Sequence, residues 1–223
     1  MRQVGCEGEN PGELSSPTDV TFIDDDEILV ADQGNHRVQQ FNVQSAQNFV
    51  NSFGRQGTED GNFEYPVSVC MDYESRVIVA DYENHRVQVL TRNGAPIFKF
   101  GDGGDETLNC PVGCACLKNR FIVADSLNSC LKVYDSSGNL LCTIGERGNA
   151  NGQFLKPCGL CVDQHENILV IDEETGHVQQ FTKEGNFSGK TVSKLTQPWG
   201  IATMPDGRIL VCDSRARKVL FLK

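Results

Sequence analysis

The 223-residue sequence has no apolar run of the roughly 18 residues that a membrane-spanning helix requires. Its opening residues, MRQVGCEGEN, hold no apolar stretch that could serve as a secretory signal. No segment shows a helix signature. Positive charge is scarce: 20 Lys and Arg stand against 30 Asp and Glu, for a net charge of −10. That balance works against general attraction to nucleic acid or an anionic membrane, although a local basic patch can still bind either. Recognisable catalytic sets are missing too. No nucleophile–base–acid group or paired-carboxylate pattern stands out. GDGGD at residues 101–105 lacks the Lys-Ser/Thr of a phosphate-binding loop. DDDE at residues 24–27 lacks the alternating ligand spacing of a calcium loop and reads as a solvated turn.

What is present suits a soluble globular chain. The composition is 39% hydrophobic and 22% charged, and the length is enough to bury a sizeable core. Ten cysteines are many. Without a secretory context they are expected to be reduced and mostly buried. One sequon, NFS at Asn186, does not alter that reading.

The chain repeats itself. ILVADQGNHRVQQF at residues 28–41 is followed 49 residues later by VIVADYENHRVQVL at 77–90. Aligning on prolines (Pro17, Pro66, Pro111, Pro157, Pro198) and aspartates (Asp32, Asp81, Asp125, Asp172, Asp213) yields five copies. Proline to Asp is 15 residues in every copy but the third, where it is 14. Each copy reads as four short strands: a small apolar run after the proline, a β-branched run ending at the Asp, an alternating run such as RVQQF, and a weaker fourth run. Four antiparallel strands per copy is the pattern of a propeller blade, with the core between blades. The expected domain is a single all-β β-propeller spanning 1–223. Its repeats fall at approximately 5–54, 55–101, 102–145, 146–189, and 190–223 plus 1–5. The last copy stops after its third strand. Residues 1–5 are therefore expected to complete it, closing the sheet with no open edge.

The motif Pro-x-Gly/Ser followed by Val-Ala-Asp-x-x-Asn-His-Arg-Val resembles the NHL repeat, over essentially the whole chain. Copies one and two match it fully; the others keep the Asp but carry NSCL, TGHV and ARKV where Asn-His-Arg-Val stands. Linkers such as GRQGTEDGNFEYP make the chain most similar to the NHL domains of tripartite-motif proteins. That resemblance implies a RING finger, B-box and coiled coil upstream and typically six blades; with five repeats visible, five or six blades are expected. No Cys/His cluster of RING spacing occurs here, so any ubiquitin ligase activity would reside in an absent segment.

The motif reads as architecture. Asp32, Asn35, His36 and Arg37, and Asp81, Asn84, His85 and Arg86, recur per blade, whereas a catalytic group needs to appear once. A loop carboxylate there would accept backbone N–H bonds, as would Asp125, Asp172 and Asp213. No metal or cofactor is expected. None of His36, His85, His165 and His177 falls in a first-strand run, where an NHL-like lyase would hold zinc. The clusters at Cys110, Cys114 and Cys116, and at Cys158 and Cys161, read as small buried hydrophobes, with Cys70, Cys116 and Cys161 at nearly equivalent positions.

Charge on the loops remains. Early linkers are acidic (Glu7, Glu9, Glu13, Glu59, Asp60, Glu64, Asp102, Asp105, Glu106). Late loops are basic: Arg147, Lys156, Lys190, Lys194, Arg215, Arg217 and Lys218. These basic residues, with Tyr82, form the candidate partner-binding set. The expected function is non-catalytic recognition of a protein partner or ubiquitination substrate, by a monomeric, cytoplasmic domain without membrane contact. RNA binding in post-transcriptional regulation is the alternative, and an NHL-like lyase a weaker one.

Overall fold

A computed structural model describes residues 3–45, 47–104, 107–191 and 195–222. The described residues form 19 β-strands and no helix longer than a single 3-10 turn. Each proline opens the first strand of its repeat, where a missing N–H costs least in the ladder. Gly94, Gly138, Gly185 and Gly207 sit in the hairpin turns at positive φ, a conformation that Cβ-bearing residues avoid.

Contacts divide the chain into two compact units, residues 1–110 and 111–223. The first holds two sheets. One contains β1 (Pro17–Phe22), β2 (Glu27–Asp32), β3 (Arg37–Asn42) and β4 (Phe49–Phe53); the other contains β5 (Pro66–Met71), β6 (Val77–Asp81), β7 (Arg86–Leu90) and β8 (Pro96–Phe100). The second holds three. They are β9 (Pro111–Leu117), β10 (Arg120–Asp125), β11 (Cys130–Asp135) and β12 (Leu140–Ile144); then β13 (Pro157–Val162), β14 (Ile168–Asp172), β15 (His177–Phe181) and β16 (Phe187–Lys190); then β17 (Pro198–Thr203), β18 (Ile209–Asp213) and β19 (Lys218–Leu222). Every neighbouring pair is antiparallel and sequential, the blade topology of the β-propeller class expected from the repeats.

The core lies between blades. In the first unit, Leu29, Ala31, Val38 and Phe53 of one blade pack against Phe63, Val69, Val77, Val79 and Leu90 of the next. In the second, Ile122, Ala124, Leu131 and Ile144 pack against Phe154, Leu160, Ile168, Val170 and Phe181. The middle strands of the first four blades are apolar and buried along nearly their whole length, so EILVAD and VIVAD read as continuous runs, whereas Cys212 in β18 is exposed.

Of the expected closing strand at residues 1–5, only Gln3–Gly5 are described. Met1 and Arg2 lie outside the described residues, and the last sheet has three described strands, β17-β18-β19. Gln3–Gly5 form no ladder; Val4 joins the cluster of Ile28, Val30, Phe41 and Leu14 against the first blade. A second expectation is corrected by register. Cys70 lies opposite Ile78 and Cys161 opposite Leu169, but Cys116 lies opposite Phe121, and Ala115 takes the equivalent place. The residue missing from the third repeat is lost from the β9–β10 turn, so counting from the proline aligns this strand correctly and counting from the Asp shifts it by one.

Candidate partner-binding loops

Each blade's second strand ends on an aspartate that is almost fully buried. What surrounds it changes along the chain. Asp32 accepts the Ser15 N–H at 2.6 Å through Oδ1. Its Oδ2 accepts from Asn35 at 2.9 Å, Arg37 Nε at 2.8 Å and Gln39 at 3.0 Å. Asp81 repeats the set with the Glu64 N–H, Asn84, Arg86 and Gln88. Asp125 accepts from Asn128 and pairs with Lys132 at 3.0 Å. Asp172 and Asp213 instead sit in nests of backbone N–H groups, from Leu155, Lys156, Glu174 and Thr175, and from Thr196, Gln197 and Ala216. The Thr196 N–H, first among these, holds the Asp213 carboxyl below the ordinary carboxylate range.

The rest of the motif fastens linkers. Arg86 donates to the carbonyls of Thr58, Glu59 and Asn62, and Asn84 donates to Gly57. His36 Nδ1 accepts the Tyr65 N–H at 3.2 Å and its ring lies 4.4 Å from that of Tyr65. His85 Nδ1 accepts the Cys110 N–H at 3.1 Å. Both histidines have positive φ, as do Ser129, Gly176 and Arg217 at the same loop position. Sequence reasoning missed a further member, the glutamine seven residues after the Asp. Gln39, Gln88 and Gln179 are buried. Gln88 accepts the Gly61 N–H at 2.8 Å and donates to Asn62 and Asp81. Its signal was a polar residue at a fixed place in RVQQF, RVQVL and HVQQF, where strand alternation alone accounted for it.

In the second unit, Lys156, Glu173, Glu174, Thr196, Gln197 and Arg215 line an open polar cleft of about 340 Å³. Lys156 pairs with Glu173 at 2.7 Å. The structure thus brings together Lys156 and Arg215 of the expected basic set. Arg147, Lys190, Arg217 and Lys218 are exposed but lie outside the lining, and Lys194 lies outside the described residues. None of Arg147, Lys190, Arg215, Arg217 and Lys218 forms an ion pair among the described residues. Tyr82 is half-buried. In the first unit, acidic linker residues are partly matched: Lys99 reaches Asp60 at 3.2 Å and Asp102 at 3.3 Å. Asp105 and Glu106 lie outside the described residues.

All ten cysteines are free thiols; Cys6, Cys142 and Cys212 are exposed. Among the described residues no group of three or more His, Cys, Asp or Glu is placed to hold a metal ion, and no helix is long and apolar enough to cross a membrane.

A loop fastened by a buried Asp thus recurs blade by blade in sheets of β-propeller topology. The NHL repeat profile matches residues 14–41, 63–90 and 195–217, and the chain carries NHL repeats. It is 28% identical to "Protein brain tumor" of Drosophila melanogaster, over 55% of this chain and 12% of that protein. It is 24% identical to "E3 ubiquitin-protein ligase TRIM32" of Homo sapiens, over 96% of this chain and 42% of that protein. The chain thus spans less than half the length of these relatives. Its fold matches that of "Streptogramin B lyase structure" with a TM-score of 0.73 at 10% identity, over 100% of this chain and 69% of the other. At that identity the match is one of fold alone.

Proposed function

We propose that the chain is the partner-recognition module of a tripartite-motif-type ubiquitin ligase system. It would bind protein through the loops of its second unit. One observation carries this reading. The Asp, Asn, His and Arg of the repeated motif are consumed in fastening the fold, while Arg215, Arg217 and Lys218 are exposed and form no ion pair among the described residues, and Arg215 lines a polar cleft. The NHL repeats and the similarity to proteins named as E3 ubiquitin-protein ligases support it. Ubiquitin transfer itself would require a domain that these 223 residues do not contain. The loops would steer an acidic partner and set its orientation, a contribution that weakens with salt.

RNA is the competing ligand. Unpaired bases need aromatic stacking platforms. Phe154 is fully buried in the core, and the Tyr65 ring is exposed but packs at a tilt against His36 among acidic linker residues. The test is capture of partners by the chain from lysate, with and without nuclease, beside the Arg215→Glu/Arg217→Glu variant. Capture that survives nuclease and is lost in the variant supports a protein partner. Submicromolar binding of single-stranded or hairpin RNA near physiological salt, abolished by the same variant, overturns the reading in favour of RNA.

A further inference from the structure

In the first unit, a histidine fills the junction between each Asp loop and the blade that follows. His36 Nδ1 accepts the N–H of Tyr65, and His85 Nδ1 accepts that of Cys110. Tyr65 and Cys110 each stand immediately before the proline that opens the next first strand. The His36 ring packs 4.4 Å from the Tyr65 ring, and Cys110 Sγ lies 3.9 Å from His85 Nδ1. An imidazole therefore occupies the space between loop and pre-proline residue at both junctions.

The second unit lacks that side chain. Four residues after the Asp, the third blade has Ser129 and the fourth has Gly176. Backbone φ at His36, His85, Ser129 and Gly176 is 53°, 52°, 57° and 73°, so the left-handed turn is kept and only the ring is gone. The pre-proline N–H turns instead to its own blade. Lys156 donates to Asp172 Oδ1 at 3.1 Å, and Gln197 donates to Asp213 Oδ1 at 3.1 Å. The open polar cleft lies at the junction of the fourth and fifth blades. Glu173 and Glu174 line it from the loop that carries Gly176, and Thr196 and Gln197 from the residues before Pro198; Lys156 and Arg215 complete it.

The lining sets what the cleft accepts. Lys156 and Glu173 satisfy each other at 2.7 Å. Arg215 and Glu174 form no ion pair among the described residues, and Gln197 adds a side-chain amide. Phosphate suits such a lining poorly, because two carboxylates oppose it. An Arg fork pairs best with a planar carboxylate, in two parallel hydrogen bonds. The volume, about 340 Å³, is at the small end of the roughly 300–1,000 Å³ of ligand sites, room for side chains rather than for a folded element.

We propose that the cleft left by the absent imidazole receives an extended segment of a protein partner, with an acidic side chain on Arg215 and a basic or amide side chain on Glu174 and Gln197. This rests on the reading of the second unit's loops as a protein-binding surface, and adds where the segment enters and what it carries.

Selection from a random-peptide display library on the immobilised 223-residue chain tests it, followed by fluorescence anisotropy with the enriched peptides. Enriched sequences should place an acidic residue close to a basic or amide one. Gly176→His restores the ring in a turn where residues 36 and 85 already carry it, and should weaken those peptides about tenfold or more. Gln197→Trp fills the cleft from an exposed position on its other side and should do the same. Gly176→Ser, the residue at that place in the third blade, removes the glycine without filling the cleft and should bind as the wild type does. Arg215→Glu should select peptides whose acidic residue is replaced by a basic one. Circular dichroism and melting temperature confirm that each variant is folded. No enrichment, enriched peptides without an acidic residue, or a Gly176→Ser variant as weak as Gly176→His would overturn the proposal. Peptides that bind the wild type and both filling variants equally defeat the cleft but leave protein recognition by the loops standing. Submicromolar binding of single-stranded RNA that Gly176→His abolishes defeats both.

Discussion

Asp81→Ala is the sharpest probe of the repeated loop. The carboxylate is fully buried and accepts four hydrogen bonds, from the Glu64 N–H, Asn84, Arg86 and Gln88. Removing it leaves Arg86, 3% exposed, without the anion that Nε meets at 2.7 Å. Breaking a buried pair from one side costs about 3–5 kcal/mol, because the remaining charge is uncompensated. Here Arg86 keeps the carbonyls of Thr58, Glu59 and Asn62, which moderates that cost. Burial also pushes the Asp81 carboxyl above its ordinary range, so relief of its own desolvation offsets part of the loss. The expected destabilisation is about 3 kcal/mol, at the low end of the range for a broken buried pair. The double variant Asp81→Ala/Arg86→Met should recover part of it, since no orphaned charge remains. Urea unfolding followed by circular dichroism measures both. Asp213→Ala, which removes acceptors for backbone N–H groups but strands no cation, should cost less in the same assay. A loss below about 0.5 kcal/mol for Asp81→Ala, typical of a surface substitution, would refute the fastener role. So would a double variant worse than the single one.

Gln88→Leu should cost about 1–3 kcal/mol by leaving the Gly61 N–H and Asn62 carbonyl unpaired, read in the same unfolding assay. Burial raises the Asp19 carboxyl above its ordinary 3.8, against the hydrogen bonds from Ser68 and Val69. The folded chain then holds that proton more tightly than the unfolded chain, so the contribution of this group to stability is greatest at low pH and falls as pH rises through the folded value. Asp19→Asn should therefore melt higher than the wild type at pH 7 and lose that advantage below about 3.8, and equal shifts at both pH values would contradict it. Native alkylation at micromolar concentration should label Cys6 and Cys142 early and Cys130, Cys158 and Cys161 last, because burial raises these three thiols to about 11, 12 and 12. Mass spectrometry of labelled peptides checks the order.

Period, strand alternation and turn glycines are local properties, and the sequence by itself determined every feature that rests on them. Five prolines and five aspartates in register set the strand order and the place of the buried Asp. They also marked the Asp loop as architecture. Tertiary structure decided the division of labour inside that loop. Asn and Arg tie down the linker that precedes them and His the one that comes after, contacts made 24 to 29 residues away that no local pattern encodes. Gln88 was legible as a letter but not as a ligand of Asp81, because an alternating strand places a polar residue there whether it meets solvent or a carboxylate. The same limit applies to the first strands. Val20 and Val69 are the same residue at the same place in the repeat, yet one is 57% exposed and the other 2%. Hydrophobic pattern records which side chains avoid water; whether a neighbouring blade is there to cover them is decided only when the sheets pack.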